Sequence, residues 1–263
     1  GETVTFYPGT ATFSQEGETG DPTLHFDEDL PASVDASQWI TYGESEYTMA
    51  FGDRVPSNFT ISVPPDAEPG GHYAVLTYSN NPSGGDEEQK ITLENSVGAL
   101  LFITVPGDIN EDGVLVEFSS DKSIYEFLPA QFSIRYKNTG NIHTQVGGNI
   151  FITKGSPTNN VATLQVNENV GYTLPDSTRN YTETWSEGWI TLDENGKLQF
   201  NQDEMPKILW GKYTAVLRLK HTVDGERLTI EDEISFWIIP WRIILILLAV
   251  IVVLGLLLFG KKK

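Results

Sequence analysis

The chain ends in an apolar run that leaves few options for its own fold. Ile243 to Phe259 reads IILILLAVIVVLGLLLF, without a charged or polar side chain. Counted from Trp241 it is about 19 residues, roughly 28 Å as a helix, close to the depth of a bilayer's hydrocarbon core. Each Leu, Ile, Val or Phe favours insertion by about 0.3 to 0.6 kcal/mol. Arg242 precedes the run and Lys261, Lys262 and Lys263 follow it, while Trp237 and Trp241 stand where an aromatic belt would be. The expectation is a single transmembrane helix over 237–260 with a cytoplasmic basic tail over 261–263. Trp241, Arg242 and the three lysines are its anchor residues, and the lipid bilayer is its first partner. Positive residues stay inside, so everything before Trp237 is expected outside the cell membrane. The chain starts at Gly1 without a Met or a signal peptide, which reads as a processed product or a fragment.

Composition enters through charge and cysteine. The net charge is −19, and setting aside Arg242 and the three lysines leaves 13 basic residues against 36 acids, a net of −23. Nucleic acid is excluded as a partner for such a surface. Cation binding, or solubility in salty surroundings, is compatible with it. There is no cysteine, hence no disulfide framework, no thiolate chemistry and no cysteine zinc site. A unit of ordinary size can hold together without disulfides.

The rest of the chain reads as β. Val4-Thr5-Phe6 alternates and Pro8-Gly9 suggests a turn. Residues 14–38, rich in acids, Gly, Pro and Ser, read as a long surface loop. Phe59, Ile61 and Val63 share one face of an alternating strand, Pro64 to Gly71 punctuates, and Tyr73 to Tyr78 reads as a buried strand. Asn80 to Lys90 is a polar loop, and Val97 to Val105 closes a first unit. In a second unit Val114, Val116 and Phe118 alternate, as do Phe132, Ile134 and Tyr136, then Tyr213, Ala215, Leu217 and Leu219. Asp224-Gly225 is a hairpin signal. A helical period outside the terminal run is confined to Asn201 to Ile208. Gly71-x-Tyr73 and Gly211-x-Tyr213 open strands at matching places, as in the tyrosine corner of immunoglobulin-like sandwiches. The expected fold is all-β: two tandem Ig-like β-sandwiches, 1–107 and 114–236, joined by a linker at 108–113 and followed by the transmembrane helix.

Ser37-Gln38-Trp39-Ile40, followed by Asn58-Phe59-Thr60-Ile61-Ser62-Val63-Pro64-Pro65-Asp66-Ala67-Glu68-Pro69-Gly70-Gly71-His72-Tyr73, resembles the N-terminal domain of WxL-interacting cell-surface proteins. The resemblance implies a peptidoglycan-binding Ig-like domain, a second Ig-like domain that engages host or partner proteins, and a C-terminal anchor. Phe132 to His143 resembles the Asn-Gly strand ends of many bacterial Ig-like domains. The chain departs from the family in its acidic 14–38 stretch and in lacking an opening strand.

Chemistry is sparse. His25, His72, His143 and His221 are scattered without metal spacing, and His72 reads as a packing residue. No nucleophile elbow or phosphate loop occurs. Leu174-Pro175-Asp176-Ser177-Thr178 reads as a loop, and Asp27 with Asp29 as a chance pair among many acids rather than glycosidase carboxylates. Asp108-Ile109-Asn110-Glu111-Asp112-Gly113 matches the first half of a calcium loop, with Asp108, Asn110 and Asp112 as ligands, but Ser119 stands where the closing Glu belongs. Calcium is therefore the one cofactor the residues offer, alongside the plainer reading of an interdomain turn. Tyr181, Trp185 and Trp189 are the candidate binding aromatics, or core residues of a strand. The function expected is non-enzymatic: a membrane-anchored surface binding or adhesion protein that engages cell-wall glycan or a surface or host protein. The alternative is a structural subunit of a surface assembly docking through exposed sandwich edges, with an extracellular hydrolase trailing both.

Overall fold

A computed structural model describes residues 3–26, 34–80, 96–187, 189–193, 195, 197–201, 208–223 and 225–259. The Asp27/Asp29 pair, most of the 80–90 loop, most of the 201–208 stretch, Asp224 and the lysines at 261–263 lie outside the described residues.

The first unit holds β1 (Thr3–Gln15), β2 (Pro22–His25), β3 (Ile40–Tyr42), β4 (Tyr47–Ala50), β5 (Phe59–Ile61), β6 (Gly70–Ser79) and β7 (Ser96–Val105). Its main sheet runs β2-β1-β6-β7. β1 changes partner twice, pairing first with β4, then β6, then β2. Pro8-Gly9 is therefore not a turn. Pro8 faces Tyr78 just after the switch from β4 to β6, an interruption in the ladder where a missing N–H is tolerated. The stretch 14–38 is likewise more than a loop, since it contains the end of β1, β2 and a 3-10 turn at Ser37–Trp39.

β6 is buried on both faces, as its apolar run predicts. Tyr73 and Val75 pack with Ala11 and Phe13 on one side, and Ala74 packs with Ala36 and Trp39 on the other. β5 is different. Phe59 and Ile61 are 38% exposed and Val63 46%, because β3 and β5 form a separate ribbon without a layer over that face among the described residues.

The second unit holds β8 (Gly113–Ser120), β9 (Ile124–Tyr125), β10 (Ala130–Asn138), β11 (Gly147–Lys154), β12 (Ser156–Val166), β13 (Thr178–Trp185), β14 (Ile190–Leu192), β15 (Leu198–Phe200), β16 (Gly211–Val223) and β17 (Glu226–Ile238). Sheets β13-β10-β8 and β12-β11-β16-β17-β9 face each other. Phe132, Ile134 and Tyr136 point into the core from one sheet, and Ile150, Ile152, Ala215, Leu217 and Leu219 from the other. Burying each large side chain contributes about 1.5–3 kcal/mol. The Val223↔Glu226 pair closes the hairpin that Asp224-Gly225 signalled.

Strand β8 breaks the expected alternation. Ile134 pairs with Phe118 and Arg135 with Glu117, but Tyr136 pairs with Leu115, leaving Val116 unpaired in a β-bulge. The extra residue turns Leu115 and Phe118 inward, and Val114 and Val116 stand exposed.

The β1–β2 turn carries the acidic stretch onto the second unit. Glu18 meets Arg135 through two charge-assisted hydrogen bonds, one of 2.7 Å from Nε to Oε2, and its carbonyl accepts the Asn180 N–H. Gln15 donates to the Tyr172 carbonyl at 2.9 Å and accepts from the Leu174 N–H at 2.9 Å. Gly71 N–H donates to the Asn141 carbonyl. A Cβ on Gly71 would lie 2.2 Å from the Tyr73 hydroxyl, so the seam excludes any larger residue there.

Helix α1 (Trp241–Phe259) follows β17 through Pro240. Among the described residues no helix is long and apolar enough to cross a membrane. The expected single-pass span and the localisation drawn from it are thereby corrected. Trp241 and Arg242 instead tie the helix to the second unit. Arg242 Nε lies 3.4 Å from Glu126, whose side chain is 9% exposed, and its guanidinium sits over the Trp241 ring. The fold is thus mostly β with one C-terminal helix. In place of two matched sandwiches, the first unit shows one main sheet with a ribbon among its described residues.

Candidate binding face

The aromatics expected to bind are mostly interior. Trp185 and Tyr181 are 2% and 5% exposed, on the inner face of β13. The Tyr181 hydroxyl lies 2.8 Å from the Thr173 hydroxyl, and Trp185 packs on Tyr213 and Phe236. Burial pushes the Tyr181 hydroxyl above its ordinary pKa. Trp189 does not share their strand. β13 ends at Trp185, and Trp189 lies half-buried before β14 with its ring 5.7 Å from Phe200.

The corner tyrosines hold their places at the starts of β6 and β16, behind Gly70 (φ 138°) and Gly211 (φ 104°). Their hydroxyls are buried, beside the His143 and Trp210 backbones respectively, without good hydrogen-bond geometry to either. The corner is therefore a packing device more than a hydrogen bond, and burial raises the pKa of both hydroxyls.

The 108–113 loop is bound up in the hinge. Asn110 N–H donates to Asn141 Oδ1 at 2.8 Å, Asn110 C=O accepts the Asn141 N–H, and Asp108 C=O accepts from Asn141 Nδ2 at 2.9 Å. The Gly113 N–H occupies Asp112 Oδ1 at 2.7 Å. A Cβ on Gly140 would sit 2.2 Å from the Asn110 carbonyl, so glycine lets these backbones meet. Among the described residues no three His, Asp or Glu side chains are grouped to hold a metal ion.

A different surface gathers polar and aromatic groups. Because β16 turns Tyr213, Ala215, Leu217, Leu219 and His221 inward, it turns Lys212, Thr214, Val216, Arg218, Lys220 and Thr222 outward. Lys212 to Thr222 spans roughly 33 Å at about 3.3 Å per residue. Register places Asn149 beside Arg218 and Gln165 beside Asn149. Arg218 is clamped by Glu231 at 3.0 Å and lies over the Phe151 ring. At one end Trp237 stands opposite Lys212, and Trp210 precedes it; they are 46% and 67% exposed. Lys154 Nζ sits 5.5 Å from the Trp210 ring centre and 5.2 Å from that of the inward Tyr213, so this pair caps the end of the sheet beside the outer row.

At the other end the face opens into a cleft of about 600 Å³ lined by Glu111, Gln145, Asn149, Gln165, Lys220 and Arg227, among others. The Gly225 N–H donates to Glu111 across it. Lys220 and Arg227 have no ion-pair partner among the described residues. His143 and His221 also line it, and burial lowers the pKa of both. His221 Nδ1 lies 3.4 Å from the Tyr136 hydroxyl, whose pKa burial pushes up to about 12.

Sequence reasoning missed this face because its members are dispersed from Glu111 to Trp237. The alternation of β16, read for its inner residues, names the outer row equally well. Trp237 was assigned to a membrane belt.

No family model and no curated protein matches this chain. Among solved structures, a chain from work described as "Chaperone-tip adhesin complex is vital for synergistic activation of CFA/I fimbriae biogenesis" aligns over 78% of this chain and 87% of that one. The identity is 12% and the TM-score 0.35, a likeness too slight to carry an argument about fold or function.

Proposed function

We propose that this chain is a binding protein that turns nothing over, and that it takes a polymer bearing sugar rings and acidic groups along the outer face of β16. The resemblance to WxL-interacting proteins implies wall binding by the first unit, whereas this row lies in the second; bacterial cell-wall glycan is the first ligand to test because it carries both sugar rings and acidic groups. The carrying observation is charge placement. In a chain of net charge −19, the β16 row presents Lys212, Arg218 and Lys220, with Lys154 and Arg227 at its ends. Glu231, paired with Arg218, and Glu233 stand beside the middle of the row, so anions are drawn chiefly to its two ends, at Lys212 with Lys154 and at Lys220 with Arg227. Trp210 and Trp237 supply flat apolar surfaces for sugar faces, and Asn149, Gln165 and Thr214 supply hydrogen bonds. Apart from Trp210, which precedes β16, these groups stand on paired strands, so little ordering is needed on binding.

The test is co-sedimentation of the full chain with purified peptidoglycan. The apolar side chains of α1 are exposed, so the protein is handled in mild detergent. Wild type should pellet with the polymer. Trp210→Ala and the pair Arg218→Ala with Lys220→Ala should each weaken binding about tenfold, or about 1.4 kcal/mol. Wild type remaining in the supernatant at low salt would sink the wall-glycan reading. Binding indifferent to all three substitutions would move the site elsewhere.

A further inference from the structure

We propose that β7 is the edge through which two copies of this chain pair, strand to strand. β7 ends the main sheet of the first unit and, among the described residues, is hydrogen-bonded to β6 alone, over ten consecutive residue pairs without a bulge. Its sequence, SVGALLFITV, has no charge and no proline. Lysines, prolines and bulges are the usual devices that stop such an edge from pairing, and β7 carries none of them.

The exposed part lies at one end. Residues 97–100 are exposed, Val97 at 71% and Leu100 at 43%, whereas Leu101, Phe102 and Ile103 are half-buried. A shallow groove lined by Pro22, Thr23, Leu24, Val75, Gly98 and Leu100 opens beside that end, where Gly98 has no side chain.

A second copy fits this edge better than a charged partner does. Two molecules of net charge −19 repel over most of their surfaces, and β7 is a long neutral strip where like charges do not meet. An antiparallel self-pair is isologous, so one residue must lie on the two-fold axis. Placing Ala99 there sets Gly98 of each copy opposite Leu100 of the other. Each leucine then covers the other copy's glycine groove, and Val97 meets Leu101. All pairs are of like parity, so the two sheets join with their faces matched. This inference does not depend on the glycan reading, which uses the second unit.

Sedimentation velocity on the full chain in mild detergent tests it. Wild type should dimerise at micromolar concentration. Ala99→Lys and Ala99→Glu each place like charges face to face on the axis and should weaken the dimer at least tenfold. Mixed in equal amounts the two variants should pair again, which also shows that both are folded. Because the chain has no cysteine, Ala99→Cys should give a disulfide-linked dimer on oxidation, and Thr104→Cys should not. A wild type that stays monomeric at 100 micromolar overturns the proposal. So does a dimer that ignores both charge variants, which would assign association to another surface such as α1.

Discussion

At the scale of single residues, two tryptophans of the second unit have opposite roles. Trp185 is 2% exposed inside the second unit, whereas Trp210 is 67% exposed just before β16. Truncating a buried tryptophan loses its transfer energy and leaves a cavity, about 3–5 kcal/mol in all. Trp185→Ala should therefore lower the denaturant midpoint strongly, and glycan binding should survive wherever the variant is still folded. Trp210→Ala should shift stability by no more than about 0.5 kcal/mol, as exposed substitutions do, while weakening binding. Equilibrium denaturation set beside co-sedimentation separates the two. A Trp185→Ala protein of unchanged stability would contradict the packing described.

At the scale of elements, the seam between the units joins pieces far apart in sequence. The β1–β2 turn presents Glu18 to Arg135 on β10, and the side chains of Tyr73, Phe102 and Tyr172 surround His143. Two groups make this seam sensitive to pH. Burial lowers the His143 pKa from 6.5, so the docked seam favours the neutral ring. That contribution is complete above 6.5 and declines as pH falls below it. The hydrogen bonds from Arg135 hold Glu18 below 4.5, so its contribution is present above 4.5 and is lost as pH falls through the lower, docked value. Hydrogen exchange at Leu174 and Asn180, whose N–H groups bond to Gln15 and Glu18, should rise in two steps on acidification, once the intrinsic rate is corrected for. Glu18→Gln should abolish the lower step and His143→Phe the upper. Protection that is flat from pH 7 to pH 4.5 would count against the His143 assignment, and protection that stays flat on to pH 2 against the Glu18 assignment.

At the scale of the whole molecule, charge sets the sign of two salt effects. Copies of a chain at −19 repel, so screening should strengthen β7 pairing. Glycan capture on the β16 row rests on attraction, so screening should weaken it. Raising sodium chloride from about 50 to about 500 millimolar shortens the Debye length from roughly 14 to roughly 4 Å, enough to show both trends. Sedimentation should report a tighter dimer and co-sedimentation a weaker complex. Both moving in the same direction would mean that one of the two surfaces is misassigned.

The sequence by itself determined those features set by local periodicity and backbone chemistry. The inward rows of β10 and β16, the doubly buried β6 and the hairpin at Asp224-Gly225 all follow from a side-chain period of two or from turn chemistry. The resemblance drawn at Trp39-Ile40 and Gly70-Gly71 falls on packed residues of the first unit, with Trp39 4.5 Å from the His72 ring. Only the tertiary structure decided what depends on partners distant in the chain. The bulge at Val116 reverses its alternation because β10 sets the register, which a single strand cannot encode. Phe59 and Ile61 are exposed because a second layer, not alternation, decides burial. The acidic stretch at 14–38 became a docking turn because Arg135 lies over a hundred residues away. The same holds for the binding face. β16 alone fixes which of its residues point outward, but β11 and β12 bring Asn149 and Gln165 beside Arg218, through hydrogen bonds that form only when the sheet does.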